Sequence, residues 1–226
     1  MIEVAYISHM GDDLTVVNAA RVSFGKTSKY ECVDMIKGKW EMKPKDVKLI
    51  RYLAKHQHKS PFNHAFATFH VKAPIFVARQ LQKHEYMPWN EISRRYVDSE
   101  TELYYPPNDV WRGRSKDKKQ GSEGEIDLDQ APDNLLGDLI EGNEWQRRLY
   151  KKLLEEGVAP EQARMVLPQS TMTEWYWSGS LYAFAKMCSL RLKEDSQQET
   201  REVATQIQKV MIKAFPWSWK ALGEYL

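Results

Sequence analysis

The sequence predicts an α+β fold, a single mixed domain with a central, mostly antiparallel sheet and a helical C-terminal half. Three observations predict it. Strand-like alternation is confined to the first third of the chain, helical periodicity governs everything after residue 134, and no linker divides the 226 residues. At 42% hydrophobic and 12% aromatic residues the chain can bury a substantial core as one domain, 1–226.

Residues 2–7 (IEVAYI) alternate as a short strand, and DDLTVVNAARVSF reads as a helix capped by Asp12 or Asp13. In residues 43–56 Val47, Ile50, Leu53 and Ala54 recur at helical spacing, with Pro44 suited to a first turn. AFATFHVK (65–72) is the clearest strand, and Pro74 closes it. IFVARQLQKHE (75–85) then predicts a helix on which Arg79 faces Lys83 and Gln80 faces His84. Residues 106–134 are rich in Gly, Pro, Lys and Asp, and read as a long polar loop or lid. Helices are expected from LLGDLIEGNEWQRRLYKKLLEEG, APEQARMVLP, SGSLYAFAKMCSLRLK and SQQETREVATQIQKVMIKAF, the first ending at Gly157 and the last before Pro216.

Composition narrows the function. Thirty-three Lys and Arg against 31 Asp and Glu leave a net charge of +2, which provides no general attraction to nucleic acid or to an anionic membrane, so neither is an expected partner. No apolar run approaches the ~18–20 residues that span a bilayer, and the first residues lack the basic and apolar regions of a signal peptide. A cytoplasmic location is expected. Two cysteines and six histidines show neither a disulfide framework nor metal spacing, so no metal is expected. Glycine-rich phosphate loops, GxSxG, HExxH and paired CxxC motifs are all absent.

Among groups able to do chemistry, Cys188 lies on the apolar side of a helical pattern and is read as core, which leaves no thiol nucleophile. Arginines are more informative, because a guanidinium stays charged and forks onto carboxylates and phosphates. Arg79, Arg94 and Arg95 read individually as surface residues, whereas Arg164 (ARMVLP) and Arg191 (CSLRLK) set single cations in apolar sequence, where burial requires a partner. His84 fits a solvated helix end, and Asn90 and Glu91 could equally cap a turn. These residues alone support only an anion-binding enzyme.

The run SPFNHAFATFHVKAPIFVARQLQKHEYMPWNEISRRY resembles the signature region of the flavin-dependent thymidylate synthases. That family carries Arg-His-Arg, seven residues and Ser; here Lys83-His84-Glu85 precede Ser93 by the same spacing, with Asn90-Glu91 and Arg95-Tyr96 in place. AARVSF (19–24), HKSPFNH (58–64), QARMVLP (162–168) and residues 190–199 resemble the family's other landmarks in order. Only 106–134 falls outside the likeness.

The resemblance implies conversion of dUMP to dTMP, with methylenetetrahydrofolate supplying the carbon, FAD supplying the hydride after reduction by NADPH, and no cysteine attacking the ring. It also implies a homotetramer whose active sites are shared between subunits. Carried over by position, the dUMP site comprises Gln80, Lys83, Glu91, Ser93, Arg94, Arg95, Arg164 and Arg191, with Arg191 and Ser93 catalytic and Arg191 ionising N3 of the uracil. The FAD site comprises Ser23, His58, Ser60, Lys83, His84, Glu85, Glu91, Ser180, Tyr182 and Lys186. Departures cluster on this flavin side: Lys83 lacks arginine's fork, Glu85 reverses a charge, and Ser180, Tyr182 and Lys186 stand where the family shows Asn-x-Arg and a later Asn. Two other readings follow, a folate-dependent pyrimidine nucleotide hydroxymethylase on the same scaffold and a non-catalytic nucleotide-binding relative.

Overall fold

The computed structural model describes residues 1–34, 37–97, 101–107, 111–116, 121–128, 130–131 and 134–226. The chain begins with strand β1 (Glu3–Met10), longer than the alternation in 2–7 predicts, and helix α1 (Asp13–Arg21). Asp12 is the cap: its carboxylate accepts from Thr15 N at 2.9 Å while Thr15 Oγ1 accepts from Asp12 N at 3.1 Å, a reciprocal capping box. Asp13 has a different task. It is buried, and its two oxygens accept from the backbone N–H groups of Trp217 and Ser218, so α1 supplies the cap of the last helix.

A small ribbon, β2 (Glu31–Asp34) and β3 (Lys39–Glu41), leads to α2 (Pro44–Lys55). Strand β4 (Phe66–Pro74) follows, then α3 (Ile75–Leu81), β5 (Trp89–Glu91) and a second ribbon, β6 (Arg112–Arg114) with β7 (Ser122–Glu125). The helical half contains α4 (Leu135–Glu155), α5 (Pro160–Ala163), α6 (Leu181–Arg191), α7 (Gln198–Ala214) and α8 (Pro216–Tyr225), interrupted by strand β8 (Met172–Ser180).

The main sheet has strand order β1-β4-β8-β5, and every pairing is antiparallel. Its inner face is built by alternation. Ala67, Phe69, Val71 and Ala73 of β4 lie against Gly179, Trp177, Trp175 and Thr173 of β8, all buried. The outer face pairs Thr68 with Ser178, His70 with Tyr176 and Lys72 with Glu174. Phe184 and Met187 of α6 and Ile207 and Met211 of α7, all fully buried, belong to the core cluster formed by the inner face. Phe184 packs edge-on against both Phe69 and Trp177, with ring centroids 5.1 and 5.4 Å apart.

Several expectations change. The helix predicted over 75–85 stops at Leu81, so Lys83 and His84 do not share helical faces with Arg79 and Gln80. The helix predicted from 178 starts at Leu181, because Ser178–Ser180 complete β8, a central strand absent from the predicted elements. The predicted helix over 159–168 is one turn of α5 followed by a 3-10 turn at Arg164–Val166. The helix α8 after Pro216 is also additional, and α4 ends just before Gly157, which adopts a positive φ of 81°. Within 106–134, residues 108–110, 117–120, 129 and 132–133 lie outside the described residues; the remainder includes the β6–β7 ribbon. That ribbon lines a cavity of about 360 Å³ with Tyr104, Trp111 and Gln197, smaller than the cleft described next.

Candidate active site

Two chain reversals build the larger cleft. At the first, β4 runs directly into α3, which lasts two turns before His84 N donates to Leu81 O at 3.1 Å and Tyr86 adopts a φ of +59°. Lys83, His84 and Glu85 therefore occupy a turn, held outward from the sheet. At the second, β8 ends at Ser180, whose hydroxyl accepts from Ala183 N at 3.1 Å to cap α6 and donates to Asn63 Oδ1 at 2.7 Å. Tyr182, Lys186 and Leu190 then line the cleft at four-residue spacing, while Leu181, Phe184, Ala185 and Cys188 face the core.

The cleft has a volume of about 650 Å³. It brings together seven of the residues singled out above: Lys83, His84, Glu85, Ser180, Tyr182, Lys186 and Arg191. It adds Lys59, Asn63, Phe66, Tyr86, Ala183 and Leu190. The stretch HKSPFNH already contained Lys59 and Asn63, but its pattern did not separate them from their neighbours. Tyr86 is 90% exposed and forms a wall. Trp89 does not join it; that ring stacks on Trp175 at a centroid distance of 4.3 Å.

Arg191, the last residue of α6, is held by two neutral acceptors. Its Nε donates to His84 Nε2 at 3.0 Å and its Nη2 to Gln80 O at 3.1 Å. No carboxylate pairs with Arg191 among the described residues, so its charge is uncompensated and Nη1 is left for a ligand. Because His84 Nε2 accepts, its ring proton sits on Nδ1. Burial, reinforced by the positive charges of Arg191 and Lys186, pushes the His84 pKa down to about 4. Lys59 sits with Nζ 5.5 Å from the Tyr182 ring centroid, so a cation covers one aromatic wall. Among the described residues of the lining, four cations, Lys59, Lys83, Lys186 and Arg191, therefore face one carboxylate, Glu85.

The histidine gives a pH signature. In the unfolded chain His84 takes up a proton near its ordinary pKa of about 6.5, whereas in the native state it does so only near 4. Between those values the unfolded state binds more protons, so the native state loses stability as pH falls through that window. Chemical denaturation of wild type and His84→Asn across pH 4–7 should show a steeper fall for wild type, and parallel curves would exclude this origin.

The other singled-out residues lie outside the cleft lining. Gln80 is one step behind it, through its carbonyl bond to Arg191. Ser93, Arg95 and Arg164 gather around Glu161: Arg95 Nε is 3.4 Å from Glu161 Oε2, Arg164 Nε donates to Glu161 O at 3.3 Å, and Ser93 Oγ accepts from Arg95 N at 3.3 Å. Arg94 is half-buried in the same turn. Glu91 fastens β5 to β8, accepting from Thr173 Oγ1 at 2.6 Å and from Trp89 Nε1 at 3.0 Å. Ser23, His58 and Ser60 are exposed, with His58 stacked on Tyr52. Cys188 is buried, and its thiol donates to Ala204 O at 3.6 Å; burial pushes its pKa up, so it packs the core and holds no thiolate. Among the described residues no helix is long and apolar enough to cross a membrane, and no His, Cys, Asp or Glu cluster could hold a metal ion.

An antiparallel α+β domain whose cleft joins a neutral histidine, a guanidinium with no carboxylate partner among the described residues, three lysines and aromatic walls has the charge and flat faces of a class of enzyme site suited to planar, anionic ligands. The comparisons give the class its family. The family model described as "Thymidylate synthase complementing protein" matches residues 5–217, and the chain belongs to that family. It is 40% identical over 223 residues to a flavin-dependent thymidylate synthase of Thermus thermophilus, covering 99% of this chain and 76% of the relative. It is 39% identical to the enzyme of that description from Thermosipho africanus, covering 97% and 90%. Among solved structures, the UMP/dUMP methylase PolB of Streptomyces cacaoi, bound with 5-Br dUMP, superposes with a TM-score of 0.83 at 30% identity, covering 100% of this chain and 96% of that one.

Proposed function

We propose that the chain methylates dUMP to dTMP, with methylenetetrahydrofolate as carbon donor and FAD, reduced by NADPH, as hydride source. The observation that carries this reading is the guanidinium of Arg191, held in the cleft by two neutral acceptors and paired with no carboxylate among the described residues. Such a fixed cation stabilises negative charge spread over a uracil ring at N3 and the adjacent carbonyl, which raises electron density at C5. No thiolate is then needed, in keeping with the burial of Cys188.

The cleft residues suit the flavin. Lys59, Lys83 and Lys186 match the negative charge of a diphosphate, Tyr182 and Tyr86 offer flat faces to ring systems, and Ser180 and His84 add polar contacts. Bound there, FAD supplies a hydride. Glu85 is the residue that fits least, being an acid among these cations.

For dUMP we infer the set Gln80, Lys83, Glu91, Ser93, Arg94, Arg95, Arg164 and Arg191, with Ser93 and Arg191 catalytic; Ser23, His58 and Ser60 would extend the FAD site. Because Ser93, Arg95 and Arg164 on one surface, and Ser23, His58 and Ser60 on another, lie outside the cleft of their own chain, we infer a homotetramer in which neighbouring copies complete each site.

Incubation of the FAD-loaded protein with dUMP, methylenetetrahydrofolate and NADPH should produce a nucleotide whose mass carries one added methyl group. A hydroxymethyl increment would instead select the hydroxymethylase, which the acid at position 85 motivates. A colourless protein that takes up no added FAD would leave only a non-catalytic nucleotide-binding relative. UMP belongs in the same assay, since the neighbour PolB is described as acting on both nucleotides.

A further inference from the structure

Behind the cleft, the Gln80 side chain is held from α7, an element outside the cleft lining. Its Nε2 donates to Gln197 Oε1, and Thr200 Oγ1 donates to its Oε1 at 3.3 Å. Thr200 has no exposed surface and sits on the inner stripe of α7 with Val203, Ala204, Ile207 and Met211. Gln197 is the residue just before that helix, and its side chain does not cap it.

A carboxamide is nearly symmetric in shape, so only its partners decide which end is donor and which acceptor. Here turning Gln80 over by itself would set its oxygen against the oxygen of Gln197 and forfeit that bond, so the two amides hold each other in register. The Gln80 backbone carbonyl meanwhile accepts from Arg191 Nη2. One residue thus links the first turn of α7 to the guanidinium in the cleft.

We propose that Thr200 and Gln197 are positioning residues for pyrimidine nucleotide recognition, fixing the place of the Gln80 amide on the segment that anchors Arg191. The inference rests on the dUMP reading above. Neither residue lines the cleft, and the buried Thr200 meets the nucleotide-side segment through Gln80, so FAD retention should be unchanged. It deepens that reading by assigning part of the nucleotide specificity to a buried hydroxyl on a different helix.

The test separates hydroxyl from volume. Thr200→Val keeps the shape and removes the donor, whereas Thr200→Ser keeps the donor and removes a methyl. In the FAD-loaded enzyme Thr200→Val should raise the KM for dUMP about fivefold to tenfold, in line with loss of one hydrogen bond to the half-buried Gln80 amide, with bound FAD unchanged. Thr200→Ser should keep the wild-type KM while losing thermal stability. Gln197→Met, at a half-buried position, should raise the KM in the same way even if Thr200→Val fails to fold. The proposal is overturned if Thr200→Val or Gln197→Met folds with a KM within twofold of wild type, or if Thr200→Ser is the more impaired of the pair. A wild-type enzyme that makes no product from dUMP sinks the underlying reading instead.

Discussion

Replacing Arg191 by alanine is expected to lower dTMP formation by about 10²–10³-fold while FAD remains bound. The magnitude is that of removing one preorganised donor aimed at developing negative charge. The structure explains why no neighbour should substitute. Arg191 is fixed by His84 Nε2 and Gln80 O, and the other cations of the cleft are lysines. A lysine carries one compact point charge with no planar fork, so Arg191→Lys should recover little of the loss. Retention of the flavin follows from the cleft's other side, where Lys59, Lys83, Tyr182 and Lys186 remain. Single-turnover conversion of dUMP together with the visible spectrum of the variant checks both halves. Near-normal turnover would place ring activation elsewhere.

The second large effect is expected at Glu85. Glu85→Arg exchanges the only acid lining the cleft among the described residues for a cation, a change of two charges beside the three lysines and Arg191. Over a separation of about 8 Å, two unit charges correspond to a ~10- to 100-fold gain in affinity for the doubly anionic diphosphate, depending on solvent screening. The gain should shrink as salt is raised, because the site is open to water. It should be accompanied by a higher flavin reduction potential, since a carboxylate disfavours the reduced, anionic ring and a guanidinium favours it. FAD titration at two ionic strengths and a redox titration measure the pair. Unchanged affinity and potential would show that Glu85 points away from the cofactor. Product analysis of the same variant bears on the hydroxymethylase, because that reading rests on the acid at 85.

Much of the scaffold was legible because it follows from local rules. The alternation of AFATFHVK predicts β4, Pro44 opens α2, and the apolar stripe Val203, Ala204, Ile207, Met211 makes α7 one-sided. Strand β8 was hidden by its composition. In TEWYWS the tryptophans do alternate with Glu174, Tyr176 and Ser178, but the following SGSLYAF continues into a helix, and one pattern masked the start of the other. Helix α3 ends early because the chain must leave it to place the 83–85 turn; the polar residues QLQKHE are as compatible with helix as with turn, and only the positive φ of Tyr86 and the packing of Met87 decide.

The candidate site divides along the same line. Residue types and spacing along the chain determined an α+β scaffold and set Cys188 on the apolar side of a helix, while the resemblance of residues 60–96 to the signature region of the flavin-dependent thymidylate synthases, with Lys83-His84-Glu85 in place of Arg-His-Arg, pointed to the family. Tertiary structure alone decided that Arg191 meets His84 across 107 residues and Gln80 across 111, that Gln80 is in turn gripped by Thr200 across 120, and that Trp89 turns inward while Tyr86 turns out. Periodicity constrains a residue only relative to neighbours within a few turns. Contacts between helices a hundred residues apart depend on how the sheet and its connections place them, and that placement made a lone arginine and a lone histidine into one site.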